Sequence, residues 1–290
     1  MSDDINVTND DLGEAEQPDG TKVAVGQFGP GPNPADNVEI IREMVSAASA
    51  NGARLIVLPE YSQALGGALG EWVSEYAESL DGPFVEAMTE LADEFSMAIV
   101  VGLLEKDPAG GAEQSAKPFN TTVAVLPGAG VVARYRKVHL YDAYTGEESA
   151  WLQAGDPAEA PQTFVVDDLT VGIQTCFDLR FPEATRRLVD AGAQLVAVGA
   201  QWIAGPKKAH HWVALTGARA IENLVYVAAA DQVAPLAVGL SRVISPLGET
   251  LVDMGQDVGV SIATVNAQTV TDARRNNPAL SLRRYTVEPS

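Results

Sequence analysis

From Thr21 onward, short apolar runs alternate with longer stretches in which apolar residues recur every three or four positions. This is the pattern of strands exchanged with amphipathic helices in βαβ units, not of an all-β or all-α domain. The predicted strands are Val23–Phe28, Arg54–Pro59, Met97–Leu104, Thr121–Leu126, Val131–Lys137, Thr163–Val166, Leu169–Thr175, Leu195–Ala200, Leu224–Ala229 and Ser241–Ile244. Leu55–Leu58 and Leu195–Val198 are continuously apolar, as strands covered on both faces require. Helices are predicted over Ala35–Asn51, Trp72–Phe95, Pro182–Ala191 and Pro206–Glu222. Pro182 and Pro206 suit a first helical turn, where a missing N–H costs no hydrogen bond. Pro127–Gly130 reads as a hairpin turn and Asp107–Lys117, rich in Gly and Ala, as a surface loop. No fixed-period repeat is present, yet the strand–helix order of the second half echoes the first. That echo predicts two packed sheets flanked by helices.

Composition refines the picture at the N-terminus. The 290 residues carry a formal charge of −20, and seven acids precede Lys22, the first basic residue. Residues 1–20 therefore read as a disordered acidic tail, too poor in apolar surface to offset its ordering entropy, ahead of one catalytic domain over 21–290. The remaining balance is still acidic, which opposes a nucleic-acid partner because phosphate binding depends on clustered Lys and Arg. No apolar run approaches the roughly 18–20 residues that span a bilayer, and no basic-then-apolar leader is seen, so a soluble chain is expected. A single cysteine, Cys176, forms no internal disulfide, which fits a reducing cytoplasm. His139, His210 and His211 make no spaced set with it, so neither a metal nor any other cofactor is expected.

Three reactive side chains stand in the same kind of place. Glu60 follows the run Leu55–Pro59, Lys137 follows Val131–Arg136 and Cys176 follows Leu169–Thr175, each at the C-terminal end of a predicted strand. In parallel α/β sheets that edge is where ligands bind. Taken singly each has an ordinary explanation: an inert packed cysteine, a solvated glutamate, a surface cation. As a set they meet a chemical need. A thiol with its usual pKa near 8.5 is only a few per cent ionised at neutral pH, and a carboxylate base and a cation remedy that. Amide hydrolysis also needs an oxyanion partner and a proton donor for the leaving amine, which a lysine and a glutamic acid supply.

The local sequences around these residues are specific. Leu58-Pro-Glu-Tyr61, Tyr135-Arg-Lys-Val-His-Leu-Tyr-Asp142 and Thr175-Cys-Phe-Asp-Leu-Arg-Phe-Pro-Glu183 resemble, in order, the glutamate, lysine and cysteine motifs of the nitrilase superfamily of carbon–nitrogen hydrolases. The resemblance extends through Asn120, Glu148-Ser149 with Gly155, Gln201-Trp202, His211-Trp212, Arg219–Asn223 and Ser245–Gly248. It covers all but the tail and the last few residues.

The resemblance implies an αββα sandwich and a role for each matching residue. Glu60 is implied as general base and acid, Lys137 as transition-state cation, Cys176 as nucleophile and Glu148, chosen over its neighbour Glu147 because Ser149 follows it, as a second acid orienting lysine or substrate. The Phe177 N–H completes the oxyanion site, and Tyr61, Tyr144 and Trp202 are candidates for the pocket wall. Asp178 and Arg180 are expected to tie the nucleophile turn as an ion pair, with direct substrate contact as the alternative. Helices Pro182–Ala191 and Pro206–Asn223 are the implied homodimer surfaces. The Arg-Phe-Pro-Glu and His-Trp signatures look most like the ω-amidase and deaminated-glutathione amidase branch, so the expected substrate is a small ω-amide of a dicarboxylic or 2-oxo acid. A nitrilase or an N-carbamoyl amide hydrolase would use the same three residues, and a non-catalytic binding protein on the same fold is the rival of another class.

Overall fold

The computed structural model describes residues 20–109, 117–144 and 146–289. The acidic stretch before Gly20 and most of the 107–117 loop lie outside the described residues. Within them the order is β1 (Thr21–Gln27), α1 (Pro34–Ala50), β2 (Leu55–Val57), α2 (Trp72–Tyr76), α3 (Pro83–Phe95), β3 (Ala98–Glu105), β4 (Phe119–Leu126) and β5 (Gly130–Arg136). The second half follows with β6 (Thr163–Val166), β7 (Leu169–Thr175), α4 (Pro182–Asp190), β8 (Leu195–Ala200), α5 (Lys208–Asn223), β9 (Tyr226–Asp231), β10 (Arg242–Ile244), β11 (Thr250–Asp253), β12 (Gly259–Val265) and α6 (Ala267–Asn276).

The strands form two six-stranded mixed sheets, ordered β12-β1-β2-β3-β4-β5 and β11-β10-β9-β8-β7-β6. In each, three central strands run parallel (β1, β2, β3 and β7, β8, β9) and the flanking pairings are antiparallel. The echo between the halves is thus a repeated topology, except that the first sheet is completed by β12 from the far end of the chain.

Strand alternation builds four layers. Val23, Val25, Leu55 and Val57 face Val171, Ile173, Leu195 and Ala197 between the sheets, whereas Ala24, Ile56 and Leu58 pack outward on Ile41, Met44, Met88 and Leu91 of α1 and α3. On the other side Val196, Val198 and Val227 pack on Leu188 and Trp212 of α4 and α5. Successive side chains point to opposite faces of a strand, so both faces of the central strands must be apolar for this αββα sandwich to close. Each such aliphatic side chain contributes about 1.5–3 kcal/mol when fully buried.

Four expectations are corrected. The single helix over Trp72–Phe95 is two, because Ala77 is extended and the chain restarts at Pro83 behind Gly82. The helix expected from Pro206 begins at Lys208, since Lys207 before it takes a left-handed φ of 63°. Leu224, expected to open a strand, is a left-handed helix cap (φ 52°), and β9 begins at Tyr226. The chain also adds β11, β12 and α6 beyond the predicted elements. Among the described residues no helix is long and apolar enough to cross a membrane.

Candidate active site

The topology brings the three reactive residues to one edge. Glu60 lies just past β2 and Cys176 just past β7, while Lys137 directly follows β5, which runs in the direction of β3 because two antiparallel pairings separate them. The Glu60 turn is wedged between strands that leave no room for a side chain. A Cβ on Gly102 would stand 2.9 Å from the Glu60 Cα, and one on Gly199 2.8 Å from the Leu58 carbonyl. Small residues at both positions let the backbone carrying Glu60 sit this deep.

All four ionisable residues named from the sequence are buried: Glu60, Lys137, Glu148 and Cys176 are 1–5 % exposed. Lys137 Nζ donates to Glu60 Oε1 and to Glu148 Oε2, both at 2.8 Å. Asn120 Nδ2 bridges the same two carboxylates at 2.7 and 2.9 Å, and the Gln201 N–H donates to Glu60 Oε2 at 2.7 Å. Glu148 further accepts from the Tyr61 hydroxyl and the Tyr141 N–H. Buried charges persist only when paired and fully hydrogen-bonded, and here every carboxylate oxygen has a donor. Burial opposes the Lys137 charge, but Glu148 and Glu60 outweigh it and hold the ammonium well above its ordinary range. Burial likewise opposes the Glu148 charge, and Lys137 with the donors from Asn120 and Tyr141 brings its carboxyl below the usual value.

Cys176 opens a short 3₁₀ turn, Cys176–Arg180, with a φ of 45° that L residues rarely adopt. Such a conformation costs about 1–3 kcal/mol and persists only where the surroundings impose it. Thr175 and Asp178 impose it through a reciprocal capping box. Asp178 also accepts from the Tyr135 hydroxyl at 2.8 Å and the His139 N–H, and its Oδ1 lies 2.6 Å from His139 Nδ1. One carboxylate thereby joins the nucleophile turn to the segment carrying Lys137. The Cys176 thiol donates to the Gln201 carbonyl at 3.6 Å. Burial and then the neighbouring Glu60 raise its pKa well above the ordinary value, against the opposing pull of Lys137, so both disfavour a resting thiolate.

These residues form one end of a cavity of about 440 Å³ whose wall includes Tyr61, Phe177, Trp202, Tyr141, Arg180 and Lys208, with Glu147 and Trp151 also lining it. The expected Asp178–Arg180 ion pair is absent. Asp178 is taken by Tyr135 and His139, while Arg180 turns to His211 Nδ1 at 3.2 Å and lies 5.0 Å from the Trp202 ring centroid. The Arg180 Nε is buried without a hydrogen-bond partner. Beside it, Lys208 Nζ donates to the Tyr141 hydroxyl at 2.7 Å and stands 4.2 Å from the Tyr144 ring centroid. Burial and then Arg180 lower the Lys208 pKa. Tyr144, expected in the wall, is corrected to the rim: it is 70 % exposed, with a left-handed φ of 60°, and Tyr141 holds the wall position. Asn120, Tyr141, Gln201 and Lys208 are the site residues that motif reading left without a role. Among the described residues no cluster of His, Cys, Asp and Glu is arranged to hold a metal.

The family model described as carbon-nitrogen hydrolase matches residues 22–275. The deaminated glutathione amidase of Escherichia coli O157:H7 is 32 % identical over 263 residues, covering 91 % of this chain and 97 % of its own. The human omega-amidase NIT2 is 30 % identical over 269 residues, covering 88 % and 92 %. Among solved structures, XC1258 from Xanthomonas campestris, described as a CN-hydrolase superfamily protein, superposes with a TM-score of 0.82 at 25 % identity over 93 % of this chain and 100 % of that one. With the buried Glu60–Lys137–Cys176 arrangement and the repeated mixed sheets beside these matches, the chain belongs to the carbon–nitrogen hydrolases of the nitrilase superfamily, enzymes acting on C–N bonds other than peptide bonds.

Proposed function

We propose that the enzyme hydrolyses the ω-amide of a small dicarboxylic or 2-oxo acid through a thioester on Cys176. The observation that carries the chemistry is a buried thiol, whose ionisation burial opposes, lining one cavity with a carboxylate that is itself held by a buried ammonium. Such a thiol needs a base at the moment of attack, and Glu60 is that base. As the sulfur bonds to the amide carbon, the thiol proton passes to Glu60 and the oxyanion forms against Lys137 Nζ and the Phe177 N–H. Glu60 then protonates the leaving nitrogen, the C–N bond breaks and ammonia departs. Water, deprotonated by Glu60, attacks the thioester; the sulfur leaves and regains its proton, and the acid is released. Glu148 keeps Lys137 charged and aimed, and no cofactor takes part.

The acyl group is read from the other end of the cavity. Arg180 and Lys208 have aromatic rings, a histidine nitrogen and a tyrosine hydroxyl as neighbours, and neither is within ion-pair distance of a carboxylate among the described residues. A substrate carrying a carboxylate opposite its amide supplies the missing charge. The names of the deaminated glutathione and omega-amidase relatives agree with that class. The same reading takes the protein as a cytoplasmic homodimer through α4 and α5, where Val213 and Ile221 remain 41 % and 54 % exposed, and sedimentation measures the mass.

The test is ammonia release from dicarboxylic monoamides, neutral amides, nitriles and N-carbamoyl compounds, run beside Cys176→Ala. Release from the monoamides alone, abolished in the variant, is expected. Preference for neutral amides, nitriles or carbamoyl compounds removes the substrate assignment, and turnover by the variant removes the nucleophile.

A further inference from the structure

Asp231 is a buried acid that the mechanism does not use. It ends β9 at the same sheet edge, is 0 % exposed, and accepts the Trp202 N–H on Oδ1 at 2.7 Å. Its Oδ2 has no hydrogen-bond partner, and its own N–H is held by Ser241 Oγ at 2.8 Å. The neighbouring peptide is the one the chemistry depends on. The Gln201 N–H fixes Glu60 Oε2 at 2.7 Å, and the Gln201 carbonyl accepts the Cys176 thiol at 3.6 Å. Gln201 and Trp202 lie beyond the end of β8, where the backbone is next held at the Trp202 carbonyl, which accepts the Val238 N–H at 3.0 Å beside the Ile203–Ala237 bridge, so that the peptide between Gln201 and Trp202 has only the Asp231 carboxyl on its N–H. Their two N–H groups are anchored by two carboxyl groups on opposite sides, Glu60 past β2 and Asp231 at the end of β9.

We propose that Asp231 is a positioning residue for the hydrolysis: by holding the Trp202 N–H it sets the Gln201 peptide that aligns the Glu60 base with the Cys176 thiol. The proposal rests on the roles given above to Cys176 and Glu60. What Asp231 supplies is an acceptor, not a charge. Burial, reinforced by Glu60, raises its pKa well above its ordinary value despite the Trp202 and Gln232 N–H groups, which disfavours a second negative charge beside the thiol. An amide at this position keeps the acceptor. An apolar side chain of the same branching removes it and leaves the Trp202 N–H buried and unpaired.

Asp231→Asn and Asp231→Leu, matched in heavy-atom number and branching, separate the two, with Asp231→Ala as a second acceptor-less variant and thermal melts to establish folding. Two quantities are read: kcat and KM for the amide turned over, and the rate at which iodoacetamide alkylates Cys176, the only cysteine of the chain. A displacement near 1 Å at reacting groups costs up to about a hundredfold, so folded Leu or Ala variants are expected to lose about tenfold or more in kcat with KM nearly unchanged. Alkylation should slow in parallel, while Asp231→Asn stays near the parent in both. The proposal is overturned by a folded acceptor-less variant that keeps its kcat and alkylation rate, or by an Asn variant that falls with the others. It is also overturned if only the Asn variant folds, which makes the residue a folding determinant. If the parent protein releases no ammonia from any amide, the functional reading fails while the alkylation rates still test Asp231.

Discussion

The two ends of the cavity hold cations in opposite circumstances. At the buried end Lys137 sits between two carboxylates that are themselves saturated with donors. At the open end Arg180 and Lys208 lie against Trp202, Phe177, Tyr141 and Tyr144, with no carboxylate in ion-pair reach among the described residues. A compensated charge is fixed in place and serves a transition state that develops there. An uncompensated one is available to the ground state of an anionic ligand. The first end should therefore govern kcat and the second KM, which is the distinction between transition-state and uniform binding.

The largest effect belongs to the buried end. Lys137→Ala removes the proposed oxyanion partner and leaves Glu60 and Glu148 facing each other without a cation. Loss of one such donor costs about 10²–10³ in kcat. The variant should bind a carboxylated amide with little change in KM, and a KM change as large as the loss in kcat would place Lys137 in ground-state binding instead.

Glu148→Gln should cost about 10–100-fold in kcat, because Lys137 keeps one of its two partners but loses its aim. It should also move the pH dependence. Burial works against the Lys137 charge and the two glutamates hold it up, so its contribution to stability and activity is complete below the ordinary lysine value and is lost as pH rises through the folded one. Removing Glu148 lowers the folded value, and the alkaline limb of the kcat profile should shift to lower pH. An unmoved limb would mean that some other group ends activity at high pH.

The buried end was also the more legible in sequence. Glu60, Lys137 and Cys176 carry reactive side chains at the C-terminal ends of predicted strands, so residue type and strand pattern coincide there. Asn120, Gln201 and Asp231 are ordinary residues whose roles arise only when β4, β8 and β9 meet across sequence separations that no local pattern records. The same limit hid β12, whose partner β1 lies at the other end of the chain, while β11 is largely exposed and so carries no buried apolar pattern. In α6 only Val270 and Ala273 are buried, too few for an apolar stripe. The Asp178–Arg180 pairing failed for a local reason: residues two apart on a helical turn do not face each other, and Tyr135 from β5 and His139 from just beyond it claim the carboxylate.

At the open end, Lys208→Ala should raise KM for a dicarboxylic monoamide by about tenfold, the lower range for a charge-assisted hydrogen bond of about 1.5–3 kcal/mol, because the cavity admits water that screens the charge. Its kcat should stay close to the parent, and a neutral amide of the same length should show no change in either constant. A KM shift shared by charged and neutral amides would reduce Lys208 to packing against Tyr141.

Tyr144 marks where the open end stops. Its ring contacts Lys208 and lies 6.4 Å from the Tyr141 centroid, but most of its surface is in water. A cation over an exposed ring gains about 0.5–1 kcal/mol, most of which Lys208 recovers from Tyr141 and from solvent when the ring is gone. Tyr144→Ala should therefore change KM for the dicarboxylic monoamide by about twofold or less and leave kcat alone. A KM change equal to that of Lys208→Ala would extend the anion site outward to the rim and make the aromatic ring, not the ammonium alone, part of what recognises the carboxylate.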